Sequence, residues 1–271
     1  MSAPTLTSAA ASRPPSAPEL MTEARGTAAT APRAAALLRS RGLQVGGITP
    51  FSATDYPGKL AAVVFVQGCP WRCGYCHNPH LQTRSASSPL DWAQVLALLK
   101  RRVGLIDAVV FSGGEPTIDP ALEDAMREVR ALGFAVGLHT AGAYPRRLAE
   151  VLPLLDWVGI DVKTSPQRYD ELTRISGSGQ ALDASLQAVL ESGVPHEVRP
   201  TLHPDLHTSA GILALAQSLS AMGVRHYALQ QFRAVGCAQE EFNQAPAAYV
   251  SDAALVSQLQ ALFPQFILRN A

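Results

Sequence analysis

The sequence LAAVVFVQGCPWRCGYCHNP at residues 60–79 joins an apolar run to a tight group of cysteines. The apolar run has the length of one strand and predicts a buried β-strand. Cys69, Cys73 and Cys76 follow with the spacing C-x3-C-x2-C, and the fourth cysteine of the chain, Cys237, is far away in sequence. Clustered thiols in a chain with few cysteines indicate metal binding or redox chemistry rather than a disulfide framework.

The cysteine spacing leaves three alternatives. Three thiolates on one tight loop can each reach a different iron of a [4Fe–4S] cluster, which usually has four cysteine ligands, so one iron would keep an open position for a small molecule. His77 or His80 could instead complete a structural zinc site, although no second pair of ligands is present. A disulfide is the third alternative and is rare in a reducing compartment.

The composition excludes several classes of protein. The 271 residues include 22 Lys and Arg and 22 Asp and Glu, so no global field favours nucleic acid or an anionic membrane. No apolar stretch approaches the roughly 18–20 residues that span a bilayer, and the N-terminus lacks the pattern of a secretory signal. We therefore expect a cytoplasmic protein that binds neither nucleic acid nor membrane.

The chain divides near residue 43. Residues 1–43 are rich in Ala, Ser, Thr and Pro and contain no aromatic residue, which predicts a disordered extension because little apolar area can be buried there. Residues 44–271 are expected to form the folded domain.

Apolar runs of strand length alternate with segments of helical period beyond residue 43. Six strand–helix repeats imply an α/β fold with parallel strands and right-handed crossovers. About 200 residues carry them, which is short for a closed eight-unit barrel and favours a partial, TIM-like (β/α)6 barrel, with a doubly wound sheet as the alternative. The predicted strands are residues 60–66, 107–111, 134–138, 157–162, 196–201 and 226–230, and the predicted helices are residues 89–101 with Ser88 as N-cap, 120–132, 145–152, 182–192, 209–222 and 252–262, before a short apolar tail at 266–268.

Polar residues gather where the predicted strands end. Because the carboxyl ends of parallel strands lie at one edge of the sheet, we expect these residues to line one pocket. Any one of them alone would more often belong to a turn or an exposed surface. In chain order they are the three clustered cysteines, Ser112, Gly113, Gly114, Glu115, His139, Thr140, Asp161, Lys163, Arg199, Gln230, Gln231 and Arg233.

Two motifs resemble the radical S-adenosylmethionine (SAM) superfamily. The C-x3-C-x2-C spacing, with the aromatic Tyr75 before the last cysteine, is similar to the cluster motif of that superfamily, and SGGEPT at residues 112–117 is similar to its SAM-amine motif. The stretch DYPGKLAAVVFVQGCPWRCGYCHNP at residues 55–79 resembles the activating proteins of anaerobic ribonucleoside-triphosphate reductase, a branch of the glycyl-radical-enzyme activases.

The resemblance implies a partial (β/α)6 barrel that holds a [4Fe–4S] cluster and SAM. Cys69, Cys73 and Cys76 would ligate three irons, and SAM would chelate the fourth. The other implied contacts to SAM are Tyr75 and His77 beside the adenosine, Gly113 and Gly114 with their backbone near the amine, Glu115 as a further acceptor, Asp161 for the amine or ribose, Lys163 for the carboxylate, Arg199 near the sulfonium and carboxylate, and Arg233 near the nucleoside.

The resemblance also implies a reaction and two partners. Reductive cleavage of SAM would give a 5′-deoxyadenosyl radical, which takes a hydrogen atom from a glycine Cα of the reductase, with electrons from a flavodoxin- or ferredoxin-type donor. The sequence departs from the family pattern at His139, where relatives often show Asp, and at Arg233, where they show His. An activase of another glycyl-radical enzyme, a small-molecule radical SAM enzyme and a non-enzymatic zinc-binding module are the alternatives.

Overall fold

One sheet organises the chain, with helices packed against its outer face. The computed structural model describes residues 42–85, 87–237, 239–243 and 252–269. The strands in this part of the chain are β1 (Val45–Ser52), β2 (Ala61–Val66), β3 (Ala108–Gly113), β4 (Ala135–Thr140), β5 (Trp157–Ile160), β6 (His196–Val198), β7 (Thr201–Leu202), β8 (His226–Gln231) and β9 (Gln265–Arg269). The helices are α1 (Trp92–Lys100), α2 (Leu122–Ala131), α3 (Pro145–Val151), α4 (Tyr169–Thr173), α5 (Ser178–Ser192), α6 (Ser209–Ala221), α7 (Glu240–Asn243) and α8 (Ala253–Leu262).

The order of the strands confirms the predicted parallel α/β sheet. From β2 to β6 each strand pairs in parallel with the next, and both β6 and β7 pair with β8. The six predicted strands and six predicted helices are all present, with the fifth strand split into β6 and β7. Strands such as β2, with the sequence AAVVFV, are apolar throughout because a parallel sheet is covered on both faces.

The sheet has two further strands that periodicity did not predict. β1 pairs antiparallel with β2 through a register interrupted twice, and its sequence VGGITPFS includes glycine and proline, which are uncommon within strands. β9 pairs in parallel with β8 and includes the residues predicted only as an apolar tail. The partial barrel therefore has one more parallel strand than the six predicted.

The N-cap predicted for the first helix was wrong. The helix begins after Asp91, whose side chain forms a capping box with Gln94, and not at Ser88. The Ser88 hydroxyl instead accepts a hydrogen bond from the backbone N–H of Val45 at 2.9 Å and lies 2.6 Å from the Val45 carbonyl. Ser88 is thus used to attach the segment before α1 to the edge strand β1.

The predicted boundary at residue 43 falls close to the start of the described chain. Residues 1–41, which include most of the predicted extension, lie outside the described residues. Leu43 is only 1% exposed and belongs to the main apolar core between the sheet and the helices.

The inner face of the sheet carries its own small apolar cluster. It consists of Ala61, Val63, Ala108, Val110 and Trp157, together with Tyr56 from the turn between β1 and β2. This cluster covers the inner face near the beginnings of the strands, so the polar strand ends lie beyond it. Within the part of the chain that the structure describes, no helix combines the length and the apolar character needed to cross a membrane.

Replacing Leu138 by alanine should destabilise the apoprotein. Leu138 lies in β4, is 0% exposed and faces the main core, so its loss leaves a cavity. We expect the free energy of unfolding to fall by about 2–5 kcal/mol in urea titrations. Leu105→Ala is the control, because Leu105 is 63% exposed and its replacement should change stability by less than about 0.5 kcal/mol. Equal effects of the two variants would contradict this assignment of the core.

Candidate active site

The cysteine loop begins where β2 ends and is held by backbone hydrogen bonds. The N–H of Gly68 donates to the Leu81 carbonyl at 2.8 Å, and that of Cys69 donates to the Gln82 carbonyl at 3.0 Å. The N–H of Arg72 donates to the Thr173 carbonyl at 2.8 Å, which fixes the loop to the segment after β5. The loop therefore has a defined position between two strand ends.

The three clustered thiols are half-buried. Cys69, Cys73 and Cys76 are all reduced and only partly accessible. Burial and, to a smaller extent, the nearby Glu115 raise the pKa of Cys69 to about 12. Burial also raises the pKa of Cys73, although Lys163 opposes the shift. These two thiols therefore stay protonated near neutral pH until a metal displaces the proton.

The carboxylate of Glu115 joins the loops that follow β3 and β4. It is 0% exposed and accepts hydrogen bonds from the side chains of Thr117 at 2.6 Å and Thr140 at 2.8 Å. It also accepts from the backbone N–H groups of Thr117 and Ala141. Its own N–H donates to the Gly68 carbonyl at 2.8 Å. Glu115 thus connects the ends of three neighbouring strands, and both of its carboxylate oxygens are already in use.

Gly113 and Gly114 are required by close backbone contacts between strand ends. A Cβ on Gly114 would lie 2.3 Å from the Gly68 carbonyl oxygen, and one on Gly113 would lie 2.5 Å from the Val66 oxygen. Gly113 also has a φ of +118°, which other residues rarely adopt. The sequence interpretation explained these glycines by the space that the SAM amine would need. The structure shows that the close contact with the end of β2 already requires them.

Asp161 forms the centre of a charged group after β5. Arg199 donates to Asp161 Oδ1 through Nε at 3.1 Å and Nη2 at 2.9 Å, and Lys163 Nζ lies 3.4 Å from Asp161 Oδ2. Gly159 makes this geometry possible, because a Cβ there would lie 2.7 Å from the guanidinium carbon of Arg199. The sequence interpretation expects Arg199 near the sulfonium and carboxylate of SAM. In the structure its side chain is only 8% exposed, and its guanidinium donates to Asp161.

The charges of this group are mutually supported. Burial alone would raise the pKa of Asp161, but Arg199 and Lys163 outweigh it, and the pKa lies below its ordinary value. Burial alone would lower the pKa of Lys163, but Asp161 outweighs it, and the pKa lies well above its ordinary value. Two cations therefore face one carboxylate, and the group carries a net positive charge that favours an anionic ligand.

Tyr75 and His77 lie on opposite sides of Cys76 in the sequence and differ in their surroundings. The Tyr75 hydroxyl is buried and has no hydrogen-bond partner within the described residues. His77 stacks on Phe232 with ring centroids 5.0 Å apart, and its Nε2 lies 2.7 Å from the Arg233 carbonyl. The side chain of Arg233 is exposed, so the backbone rather than the guanidinium of this residue is tied to the cysteine loop.

The two histidines considered for a zinc site do not join the cysteines. His77 directs Nε2 at the Arg233 carbonyl, and His80 is exposed. In residues 42–85, 87–237, 239–243 and 252–269, no three His, Cys, Asp or Glu side chains converge on a position for one metal ion.

Tyr169 and His207 support the site and were not predicted to do so, whereas Ser112 and His139 are among the strand-end residues expected to line the pocket. The N–H of Lys163 donates to the Tyr169 hydroxyl at 2.6 Å, and the Lys163 carbonyl lies 2.7 Å from His207 Nε2. His139 lies between the Ser112 hydroxyl and the Asp55 carbonyl. For Ser112 and His139, the only sequence signal was their position at strand ends. Tyr169 begins the short helix α4 and His207 precedes α6, and neither belongs to a recognisable motif.

A family comparison identifies this arrangement. The model of the radical SAM superfamily matches residues 63–208, which is more than half of the chain. The chain belongs to the radical SAM superfamily. The matched residues include the cysteine loop, the Glu115 junction and the charged group around Asp161.

Two similar proteins have names that refer to enzyme activation. A protein of Methanocaldococcus jannaschii, assigned by name to the glycyl-radical enzyme activating enzymes, is 30% identical over 211 residues, which cover 74% of this chain and 85% of that protein. The pyruvate formate-lyase-activating enzyme of Clostridium pasteurianum is 32% identical over 172 residues, which cover 61% of this chain and 71% of that enzyme.

Solved radical SAM structures share the fold. QueE from Escherichia coli matches with a TM-score of 0.51 at 16% identity, over 88% of this chain and 98% of QueE. SuiB of Streptococcus suis, solved with S-adenosylmethionine, matches with a TM-score of 0.58 at 13% identity, over 76% of this chain and 49% of SuiB. These likenesses confirm the predicted radical SAM core, a partial TIM-like barrel of parallel strands.

The residues at the strand ends fit the two groups that membership of the superfamily implies, a [4Fe–4S] cluster and SAM. Three half-buried thiols on one loop supply the sulfur ligands that such clusters take. The buried hydroxyl of Tyr75 has no partner in the described residues and is available to a bound group. The net positive charge around Lys163 suits the carboxylate of an amino acid.

Gly114→Ala should reduce the binding of iron to the radical SAM site. The added Cβ would meet the backbone of Gly68 and Leu81, so the start of the cysteine loop must move. After anaerobic reconstitution, we expect less than about half of the wild-type iron and sulfide per chain. Gly47→Ala is the matched control, because a Cβ there meets nothing within 4 Å. Full iron binding by Gly114→Ala would contradict the proposed constraint.

The contribution of Asp161 to stability should disappear in acid. A carboxyl group whose folded-state pKa is depressed stabilises the fold above its unfolded pKa of about 3.9, and the effect is lost as pH falls through the folded pKa. The difference in unfolding free energy between wild type and Asp161→Asn should therefore be constant above about pH 5 and shrink below about pH 4. Urea titrations of the apoprotein measure it, with exposed Asp124→Asn as control. A difference that grows in acid would contradict the assignment.

Proposed function

We propose that this radical SAM protein activates a glycyl-radical enzyme, and that its target is anaerobic ribonucleoside-triphosphate reductase. The observation that carries the activase proposal is the 30% identity to an activating enzyme over 85% of that protein. The cysteine loop, Glu115 and the charged group around Asp161 follow strands of one parallel sheet, which supports the proposal. The choice of target is supported by the stretch at residues 55–79, whose DYPGK and CHNP segments resemble the reductase activases.

In this proposal the residues at the strand ends bind either the cluster or SAM, or orient a residue that does. Cys69, Cys73 and Cys76 hold three irons of a [4Fe–4S] cluster. Lys163 pairs with the carboxylate of SAM, because its ammonium stays charged and its side chain is still 18% exposed. Arg199 keeps Asp161 oriented, and Asp161 accepts from the amine or ribose through the part of its carboxylate that is still accessible. The remaining contacts to SAM come from Tyr75, His77, the backbone at Gly113, Gly114 and Glu115, and Arg233.

The chemistry of the bound groups sets what the chain must do. When bound, the reduced cluster supplies one electron to SAM, which gives methionine and a 5′-deoxyadenosyl radical for hydrogen abstraction. The chain's residues must orient SAM, exclude water and admit a backbone segment that carries the target glycine. Arg199 and Glu115 serve the orientation, since each is buried and fixes a strand end. We also propose a flavodoxin- or ferredoxin-type electron donor and a cytoplasmic location.

A second target class is favoured by a specific observation. The pyruvate formate-lyase-activating enzyme of Clostridium pasteurianum is 32% identical to this chain. The same chemistry applied to another glycyl-radical enzyme, such as pyruvate formate-lyase, is therefore the competing proposal.

An activation assay under argon tests the proposal. Reconstituted protein, SAM, a reductant and the reductase should give a glycyl doublet in the electron paramagnetic resonance spectrum together with 5′-deoxyadenosine. Cys73→Ser should lose both products and the absorption near about 400 nm, because one cluster ligand is missing. Cys237→Ser is the matched control and should keep the cluster, since Cys237 lies outside the C-x3-C-x2-C motif.

The outcomes separate the alternatives. A doublet with pyruvate formate-lyase alone would support the second target, and 5′-deoxyadenosine without a doublet on either enzyme would indicate a different substrate. Zinc without labile sulfide in anaerobically purified protein would overturn the radical SAM chemistry for this chain.

A further inference from the structure

The turn between β1 and β2 lies against the inner face of the sheet. Tyr56 in this turn is 6% exposed, and its ring lies 5.2 Å from that of Trp157 in β5. Gly137 in β4 makes room for it, because a Cβ there would lie 3.0 Å from Tyr56 Cδ2. Residues 53–60, which we name the inner turn, therefore cover the inner face just before the polar strand ends begin.

His139 attaches the inner turn to the strand ends. Its Nε2 lies 2.8 Å from the Asp55 carbonyl, and its Nδ1 lies 3.3 Å from the Ser112 hydroxyl. A carbonyl only accepts, so Nε2 carries the proton and Nδ1 accepts from Ser112. The ring also meets Trp157 edge-on, with centroids 5.5 Å apart. One neutral imidazole thus contacts β3, β5 and the inner turn at once.

The His139 imidazole lies close to the charged group around Asp161, two residues nearer the start of the strands. His139 pairs in register with Gly159, and Asp161 lies two residues beyond Gly159, just after the end of β5. Ser112 directly precedes Gly113 and the Glu115 junction. Burial and then the nearby Arg199 lower the pKa of His139 to about 3, so the ring stays neutral and keeps its donor on Asp55. The position of the inner turn is therefore coupled to the groups assigned to SAM.

We propose that His139 is a positioning residue that fixes the inner turn as the wall of the substrate cavity, so that the target glycine comes to rest at the level of Asp161. This inference rests on the proposed activase function. If the turn loosens, the substrate segment is held less well beside SAM, and cleavage of SAM becomes uncoupled from hydrogen abstraction. No direct contact of His139 with SAM is required.

Two near-isosteric variants separate the contact to Asp55 from general packing. In His139→Gln, the side-chain Nε2 is as many bonds from Cβ as the imidazole Nε2 and can donate to the Asp55 carbonyl. In His139→Asn, the amide reaches only as far as the imidazole Nδ1, so it can meet Ser112 but not Asp55. His80→Asn is the matched control, because His80 is exposed and has no hydrogen bond or ring contact with the inner turn in the described part of the chain.

Hydrogen exchange of the apoprotein tests the attachment without any cofactor. In His139→Asn, amides of residues 53–60 should exchange about tenfold faster, while His139→Gln and His80→Asn stay within about threefold of wild type. Trypsin cleavage after Lys59 should follow the same order. Unchanged exchange in His139→Asn, or faster exchange spread evenly over the whole chain, would overturn the inference.

The amount of 5′-deoxyadenosine produced per glycyl radical tests the consequence for the reaction. In His139→Asn, we expect about fivefold more 5′-deoxyadenosine per glycyl radical formed, with cleavage of SAM in the absence of the partner within about twofold of wild type. His139→Gln should restore the wild-type ratio. An unchanged ratio in His139→Asn would overturn the positioning role. If wild type gives no doublet with the reductase, the proposed target fails, and the ratio measured with pyruvate formate-lyase and the exchange data decide the inference separately.

Discussion

The buried carboxylate of Glu115 is the constraint on which the candidate site depends. A charged or polar group without water is costly unless its hydrogen bonds are satisfied, and here the donors come from the loops after both β3 and β4. The N–H of the same residue holds the Gly68 carbonyl, so the start of the cysteine loop is attached as well. Burial raises the pKa of Glu115 even though its hydrogen bonds oppose the shift. Three strand ends are thereby fixed by one residue, and glycines at 113 and 114 are the consequence of the resulting close approach.

A second junction completes the edge of the sheet at β5 and β6. The parallel register places Arg199 beside Asp161, and the missing side chain of Gly159 lets the guanidinium lie across the strand. Most polar groups at this edge therefore bind one another, and few of them are free to bind a ligand. Among the described residues, the groups that stay available after these internal contacts include the three half-buried thiols, the ammonium of Lys163, part of the Asp161 carboxylate and the hydroxyl of Tyr75. The site is thus preorganised by buried contacts and presents few groups to a ligand.

The sequence allowed the parallel sheet and the cysteine loop to be predicted because both signals are local. Apolar runs of strand length reveal β2 to β6 and β8, and the thiol spacing lies within eight residues. The errors arise where partners are distant in sequence. Ser88 has the chemistry of an N-cap but contacts Val45. β1 was missed because its sequence includes glycine and proline, and because its stabilising partners, β2 and Ser88, lie outside the strand.

Position 139 has His where the resembling family pattern has Asp. The two contacts of this residue, with Ser112 and Asp55, explain why a histidine suits this chain. A carboxylate at this position could accept from Ser112 but could not donate to the Asp55 carbonyl, and it would add a second negative charge close to Asp161. A neutral imidazole donates on one side and accepts on the other, so it suits a carbonyl and a hydroxyl together. The residue at 139 and the position of the inner turn must therefore change together, and a chain with a carboxylate here must hold its turn by other contacts.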